Sequence, residues 1–386
     1  LGAALLLPPA SALLLFAITG QSVMAASNDL IVMFIGLEIS SIASYVLAGY
    51  LREDKRAVEA ALKYFLLGSF ASAFFLYGAA LIYGATGVTN LSAVRGLLIG
   101  RGGAEPLFVA VAGALLFVGV AFKVSSAPFQ VWAPDVYQGA PSPVAAFLST
   151  GAKAAAFAIF LRIFMTALAP VGRAWEPLVW TSALLSMTIG NFAALNQANV
   201  KRMLAYSSIA HAGYVLAALT ARSHAGTAAA MFYLAAYALM NMGAFAVVAH
   251  IAGKGERYQE VDDFAGLGAK QPFTAAMLAL FLFSLIGVPL TAGFFGKFYI
   301  FKAALDAGLV WLAVLGLLNS AVAAYYYLRV LVVMYMREPA PDAPAPEPLP
   351  AGAKAALILP AAGTLLLGIV PGPVLEFATK AATLLK

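Results

Sequence analysis

Residues 107–136 read LFVAVAGALLFVGVAFKVSSAPFQVWAPDV, a run that is almost wholly apolar. As one straight helix it would extend about 45 Å, whereas the hydrocarbon core of a bilayer is about 30 Å thick. Ser125, Pro128 and Pro134 interrupt the run, and Lys123 lies just before the interruption. A run that is too long to span and carries a charge beside its break indicates a membrane protein with a discontinuous helix.

A second run of the same kind covers residues 273–304, where Gly287 and Pro289 interrupt it and Lys297 follows the break. Two interrupted apolar segments in corresponding parts of two halves indicate a transport site at the interface of two repeats. Glu38 precedes Lys123 by 85 positions and His211 precedes Lys297 by 86, which supports a repeat.

The domain organisation follows from these breaks. They are five predicted helices apart, and an odd offset inverts the second copy in the membrane. We therefore expect a first five-helix repeat at 1–168, with its broken helix at 107–136, and an inverted second repeat at 169–336, with its broken helix at 273–304. A Pro-rich linker and a C-terminal transmembrane helix follow in 337–386.

The composition places the whole chain in a membrane. Of its 386 residues, 63% are hydrophobic and 10% are charged, whereas an ordinary soluble domain is about 25% charged. The fold class is therefore all-α, a polytopic transmembrane helical bundle. About eleven spans are predicted, at 2–24, 29–51, 57–84, 107–136, 142–168, 176–196, 203–221, 225–252, 273–304, 307–336 and 354–378.

Composition also excludes several functions. The chain has no cysteine, which excludes thiolate-ligated iron–sulfur centres and disulfides. It has no dinucleotide-binding or Walker motif. Its net charge of +6 comes from basic residues in short loops rather than from one patch, which argues against nucleic-acid binding. We expect no cofactor, metal or redox site in this chain, so the energy for any pumping has to come from elsewhere.

The loop charges predict an orientation. By the positive-inside rule, the loops that hold most of the Lys and Arg residues face the cytoplasm. These residues are Arg52, Lys55, Arg56, Lys201, Arg202, Lys254, Arg257, Lys270, Arg337 and Lys354.

Ionisable side chains inside the apolar runs are the candidate site. Each costs about 2.5 to 3.5 kcal/mol on insertion scales, which makes a functional role the default interpretation. Their spread over successive helices suggests a path for protons or ions. They are Glu38, Lys63, Lys123, Lys153 and Lys297, together with His211, which could relay a proton through either ring nitrogen.

Structural interpretations of these residues stay open beside the functional ones. We expect Glu38 and Lys123 to interact, so that a change at the carboxylate alters the lysine's hold on its proton. Lys297 could instead cap carbonyls freed by the break, and Lys63 could form a simple pair with Glu59 one turn earlier. A lone buried histidine such as His211 is often only hydrogen-bonded.

One stretch carries a family resemblance. Residues 123–144, KVSSAPFQVWAPDVYQGAPSPV, closely resemble the antiporter-like membrane subunits of respiratory complex I. The run PDVYQGAP at 134–141 favours the N subunit of NADH:quinone oxidoreductase over its L and M relatives and over Mrp-type Na⁺/H⁺ antiporter subunits. The motifs KRMLAYSSIAHAGY at 201–214 and GFFGKFY at 293–299 look like the same family, and the resemblance covers essentially the whole chain.

The resemblance implies a fourteen-helix proton-translocating subunit built from two inverted five-helix repeats. About eleven helices are present here, and Leu1 lies in an apolar run and is not a methionine. We therefore expect an N-terminally truncated chain. The family's site residues carry over as Glu38 in the fifth helix, Lys63 in the sixth, Lys123 in the broken seventh, Lys153 in the eighth and Lys297 in the broken twelfth.

The resemblance also implies surroundings for the chain. Such a subunit is part of a translocase in the bacterial inner membrane, beside an antiporter-like M subunit and the K and J subunits. FMN, iron–sulfur clusters and quinone are expected in other subunits, whose quinone reduction supplies the energy.

Three alternatives remain at this point, one of which is a solitary secondary carrier that would transport its substrate in the isolated chain, without partners. A Mrp-type Na⁺/H⁺ antiporter subunit or a membrane-bound hydrogenase subunit would share the fold. A non-conducting membrane scaffold belongs to a different class, and it predicts that Lys123→Ala and Lys153→Ala harm assembly rather than pumping.

Overall fold

The computed structural model describes residues 8–100, 106–253, 255–339 and 348–384. These residues are almost entirely helical, as the composition predicts. The helices in chain order are α1 (Pro8–Ala26), α2 (Leu30–Ala48), α3 (Lys55–Thr86), α4 (Leu91–Gly100), α5 (Pro106–Val124), α6 (Ala133–Gly139), α7 (Ser142–Ala167), α8 (Gly172–Leu195), α9 (Val200–Thr220), α10 (His224–Ala252), α11 (Pro272–Ile286), α12 (Ala292–Asp306), α13 (Val310–Met336), α14 (Ala351–Ile369) and α15 (Gly372–Leu384).

The bundle matches the polytopic all-α prediction. Within the described ranges, ten helices are long and apolar enough to cross a bilayer. Both over-long runs are broken. The first divides into α5 and α6, and the second divides into α11 and α12. Leu1 and Lys254, which the sequence analysis names, and most of the Pro-rich linker lie outside the described residues.

One end of the bundle gathers the basic loops, and we call it the basic face. Asp54, Gln138 and Glu256 line one cavity there, although they come from two different loops and from α6. The side chain of Asn199 donates to those of Gln259 and Glu260 at the same end. The loops that the charge pattern assigns to the cytoplasm therefore share one end of the molecule.

A backbone bridge recurs at the two ends of the bundle. Asp29 pairs with Asn90, and 170 positions later Asn199 pairs with Glu260. Asp29 and Asn199 also cap the N-termini of α2 and α9. Each bridge lies at the start of its helix. Helix α9 begins at the basic face, so the second bridge lies there. Helix α2 ends at the basic face, so the first bridge lies at the opposite end of the bundle. At this spacing the counterpart of Glu38 is Ser208, so the matching 85- and 86-residue intervals do not define the repeat.

Two local features differ from the predicted spans. The run 354–378 is not one helix. It ends at Ile369 because Val370 precedes Pro371 and adopts a non-helical conformation. The remainder forms α15, which packs Ala378 and Ala382 against the start of α10. Helix α7 also contains two π-helical segments, Leu148–Ala152 and Leu161–Ala167.

Candidate functional site

The first helix break is held by side chains of a neighbouring helix. Helix α5 ends at Val124, and Ser125 adopts a left-handed conformation with φ of 59°. The N–H of Ala127 donates to Ser186 Oγ at 2.7 Å, and its carbonyl accepts from Ser182 Oγ at 2.6 Å. Both backbone groups freed at this position are thus satisfied within the protein, as membrane depth requires.

Lys123 lies in the last turn of α5, where the partial negative charge of the helix end favours a cation. Its ammonium lies 5.4 Å from the ring centre of Tyr45, 5.3 Å from Tyr64 and 5.9 Å from Phe122. Cation–π contacts of this kind contribute about 2 kcal/mol when they are desolvated. Aromatic rings therefore surround the first of the predicted lysines.

The expected direct pair between Glu38 and Lys123 is not formed. Glu38 Oε1 is buried and has no hydrogen-bond partner among the described residues. The carboxylate still interacts with the Lys123 ammonium electrostatically. Tyr45 lies two turns beyond Glu38 on α2, and its ring stands against the lysine. The two charges therefore act at longer range than the sequence suggests.

Lys153 is the most deeply buried of the predicted lysines. Its side chain is almost fully enclosed, with the residue 2% exposed. Its ammonium donates to the Ser208 carbonyl at 2.7 Å and to Ser208 Oγ at 2.6 Å. The π-helical segment Leu148–Ala152 ends immediately before it. Such segments recur at functional sites because the extra residue re-aims the side chains that follow.

Hydroxyl groups lie between the first two lysines. Tyr137 is fully buried and lies beside both Ser125, in the first break, and Ser208, the partner of Lys153. Tyr237 also lies beside Ser208. The hydroxyls of Ser125, Tyr137 and Tyr237 make no hydrogen bond to another described residue. Tyr137 lies within the motif PDVYQGAP at 134–141, but its spacing in the sequence did not predict it as a site residue.

His211 lies three residues after Ser208 on α9 and connects the two halves. Its Nδ1 lies 2.5 Å from the Tyr233 hydroxyl, and its Nε2 lies 3.2 Å from the Tyr327 hydroxyl. Tyr327 is also hydrogen-bonded to Ser207. The imidazole interacts electrostatically with both Lys153 and Lys297. His211 is hydrogen-bonded, as the structural interpretation predicted, and it also stands between two lysines of the path.

Lys297 closes the second break. Its ammonium donates to the carbonyls of Leu285 and Ile286 at 2.9 Å and 2.8 Å, at the end of α11. It therefore caps freed carbonyls, which was the structural alternative for this residue. It also donates to Ser320 Oγ at 2.8 Å and lies 5.1 Å from the ring centre of Tyr214. The two broken helices thus each place a lysine at the C-terminal end of their first half.

Lys63 is not a buried residue of the path. Its side chain is 42% exposed and pairs with Glu59 at 2.7 Å and with Asp135 at 2.6 Å. The reason is its position near the start of α3, where the amine can reach the basic face. Asp135 also accepts from Arg202 at 2.6 Å. Asp135 therefore fixes α6 against α3 and α9.

A buried ion pair on the basic face was missed. Lys201 is fully buried and donates to Glu256 at 2.9 Å and to the carbonyl of Ala140 at 2.6 Å. From the sequence alone Lys201 is one of the loop charges, since it adjoins Arg202 at the predicted start of a helix. The partners are 55 positions apart, and no periodicity links them.

The site as a whole is suited to moving protons. Lysine, histidine and hydroxyl groups from both halves lie in one buried polar zone, and each of them can both bind and release a proton. No group of three or more His, Cys, Asp or Glu side chains in the described ranges has the geometry of a metal site.

Comparisons with known proteins agree with this geometry. The profile of the family described as NADH:quinone oxidoreductase/Mrp antiporter, TM, matches residues 27–323. The NADH-quinone oxidoreductase subunit N of Solibacter usitatus is 72% identical over 375 residues, which covers 97% of this chain and 77% of that relative.

Solved structures have the same fold. A chain of respiratory complex I from Thermus thermophilus, solved with bound aureothin, superposes with a TM-score of 0.82 at 42% identity, covering 94% of this chain and 78% of that one. A chain of the Mrp complex from Dietzia superposes with a TM-score of 0.88 at 24% identity, covering 97% of this chain and 77% of that one, which shows the shared fold alone. The chain therefore belongs to the NADH:quinone oxidoreductase/Mrp antiporter family of transmembrane proteins, and its close sequence relatives are NADH-quinone oxidoreductase N subunits.

Proposed function

We propose that this chain is a proton-translocating membrane subunit of an NADH:quinone oxidoreductase. The observation that carries the proposal is Lys153, an ammonium buried at membrane depth whose hydrogen bonds within the described ranges go only to Ser208. A permanent charge there is costly, and no carboxylate of the described residues pairs with it. Alternation of Lys153 between its charged and neutral forms would account for a lysine at this costly position.

The proposed route follows the buried contacts. Protons reach Lys123 and Lys153 from the cytoplasm, and Glu38 sets how firmly Lys123 holds its proton through their electrostatic interaction. From Lys153 the route continues to His211 and then to Lys297, since the imidazole interacts with both lysines. We assign no role on this route to Lys63, because it is exposed and paired on both sides.

Water completes the route between protein groups. Buried polar atoms are almost always hydrogen-bonded, either to protein or to ordered water. The hydroxyls of Ser125, Tyr137 and Tyr237 have no hydrogen-bond partner among the described residues and lie between Lys123 and Lys153. They therefore mark where water molecules connect Lys123, Lys153 and His211.

The repeat organisation supports this route. We infer that residues 1–168 and 169–336 are inverted repeats, since bridges 170 positions apart lie at opposite ends of the bundle. Each repeat contributes one broken helix, and each break places a lysine at a helix C-terminus. A route that crosses from one repeat to the other can then open to opposite sides of the membrane.

The energy source lies in the partners. The relatives are subunits of NADH-quinone oxidoreductase, a complex with other membrane subunits. We place this chain in the bacterial inner membrane beside the M, K and J subunits, with FMN, iron–sulfur clusters and quinone in neighbouring chains. Conformational and electrostatic coupling from quinone reduction would then drive proton release along the buried lysines.

The test separates proton translocation from sodium antiport. Sealed membrane vesicles that contain the assembled complex are given NADH, and internal acidification is recorded with and without sodium and a sodium ionophore. We expect acidification to persist without sodium and to be insensitive to the ionophore. Acidification that requires sodium, or collapses with the ionophore, would favour the antiporter alternative.

A further inference from the structure

Glu256 holds the start of the helix that carries Lys153. Its Oε1 accepts from the N–H of Ser142 at 2.8 Å, and its Oε2 accepts from Ser142 Oγ at 2.6 Å. Oε2 also accepts from Lys201 at 2.9 Å and from Gln259 at 3.0 Å. Ser142 begins α7 and Lys201 lies at the start of α9, so one carboxylate joins the two helices that meet again at Lys153 and Ser208.

This carboxylate also borders a polar cavity on the basic face. The cavity has a volume of about 330 Å³, and its walls include Asp54, Arg56, Gln138 and Arg257. A cavity of this size and polarity can hold several water molecules. Glu256 is therefore a buried ionisable group with hydrated space on one side.

On its other side the ion pair leads towards Lys153. Lys201 and Ser208 are seven residues apart on α9, which places them on one face about 10 Å apart along the helix axis. Tyr137 lines this interval, since it lies one turn before Ala140, whose carbonyl accepts from Lys201. Its buried hydroxyl lies beside Ser208.

The fold itself does not require this ion pair. At the spacing of 170 positions, the counterparts of Lys201 and Glu256 are Ile31 and Thr86, at the opposite end of the bundle. Thr86 Oγ1 donates to the carbonyl of Ile82 in its own helix. The joint at the opposite end thus has no ion pair at these two positions, whereas the joint on the basic face has a buried one.

We propose that Glu256 is the residue through which protons enter the path to Lys153 from the basic face. A proton from the cavity binds the carboxylate and leaves Lys201 as an unpaired buried ammonium. Lys201 then releases its own proton inwards, through water, Tyr137 and Ser208, to a neutral Lys153. The proton on Glu256 next moves to the Lys201 amine and restores the ion pair. One proton is taken up for each one delivered, and no other group is consumed.

This inference rests on the proposed function, and the experiment separates the two. Glu256→Ala is introduced into the full-length subunit of the assembled complex, and NADH-driven proton pumping and quinone reduction are measured in vesicles. We expect both rates to fall at least about tenfold, as is typical when a proton-transferring group is removed. Sodium formate supplies the anion of a weak acid, which can take up and release a proton and is small enough for the cavity, so it should restore much of the rate, whereas sodium nitrate should not.

The controls decide among the outcomes. Equal rescue by formate and nitrate would mean that only a negative charge is needed, and it would overturn the inference. Pumping at the wild-type rate in Glu256→Ala would also overturn it. Lys153→Ala is measured in parallel. Loss of pumping there with normal pumping in Glu256→Ala leaves the proposed function standing, and normal pumping in both removes both claims. Asp262→Asn, at an exposed pair in the same region, should behave as wild type.

A second variant keeps the inference testable if Glu256→Ala fails to assemble. Lys201→Met combined with Glu256→Gln removes both buried charges, a change that is often neutral for folding. The assembled double variant should remain slow, because it has no group to take up the proton. Pumping at the wild-type rate by that variant would overturn the inference.

Discussion

Each buried lysine is held by a different kind of partner. Lys123 lies among aromatic rings, Lys153 is bound by one serine, and Lys297 caps helix carbonyls. None of the three is locked by a carboxylate in direct contact within the described part of the chain. Lys153 and Lys297 can therefore lose their protons without leaving a partner carboxylate buried as an unpaired anion, which suits them to proton transfer.

The Glu38 carboxylate provides the first prediction at the residue scale. Glu38→Gln keeps the size of the side chain and removes the charge that interacts with Lys123. Because no direct ion pair is broken, the complex should assemble normally. We expect NADH-driven pumping to fall about tenfold, equivalent to losing about 1.4 kcal/mol of electrostatic interaction. Glu376→Gln, at an exposed pair on α15, is the control. Unchanged pumping in Glu38→Gln would contradict a role for Glu38 in proton transfer at Lys123.

The Tyr327 hydroxyl provides the second prediction at the residue scale. Tyr327→Phe keeps the ring but leaves Ser207 and His211 Nε2 without this partner. We expect a fall in pumping of about tenfold or more with normal assembly, because the hydroxyl orients the imidazole. Tyr325→Phe, on the same helix but 62% exposed, is the matched control. Equal rates in the two variants would contradict a relay role for His211.

At this scale the sequence identified charged residues but not their partners. Lys123, Lys153 and Lys297 stand out because an ionisable group within an apolar run is rare. The rings around Lys123, the absence of a direct contact with Glu38 and the buried Lys201–Glu256 pair arise from helices far apart in the chain. A single sequence does not show how helices that are far apart in the chain align against one another. The pair of Lys63 with Glu59 could be predicted from the sequence, whereas its pair with Asp135 could not, because Asp135 reaches it from another helix.

At the scale of elements, the helix breaks followed from composition. Length, Pro and Gly are local properties, so both breaks could be placed from the sequence alone. The π-helical segments of α7 could not, because they interrupt an otherwise regular apolar helix with no Pro or Gly pair to mark them. The first of them immediately precedes Lys153. The direction of the Lys153 side chain therefore could not be predicted from the helical periodicity of the sequence.

The first break gives a stability prediction. Ser186→Ala leaves the buried N–H of Ala127 without its acceptor, at a cost of about 1 to 3 kcal/mol. We expect a lower unfolding temperature of the detergent-solubilised complex and a smaller assembled fraction on a native gel. Thr181→Ala, on the exposed side of the same helix, should leave both unchanged. No difference between the two variants would mean that the break is held by other contacts.

At the scale of the whole molecule, two similar halves were predicted, and their alignment came from the structure. The bridges at Asp29 and Asn199 align the chain at 170 positions. That alignment makes the differences between the halves informative, since Lys153 corresponds to Ala323 and Glu256 to Thr86. Lys153 and Glu256 thus have no ionisable counterpart at this spacing, whereas each of the two helix breaks carries a lysine.

Lys153 is the residue at which proton movement through the buried lysines is best tested. Proton pumping and NADH:quinone electron transfer are measured side by side in membranes carrying Lys153→Ala, with assembly checked on a native gel. Lys302→Ala, at an exposed helical pair, is the lysine control. The account predicts that Lys153→Ala assembles normally and loses both activities about a hundredfold, while the control keeps both. Normal pumping by an intact Lys153→Ala complex would contradict it.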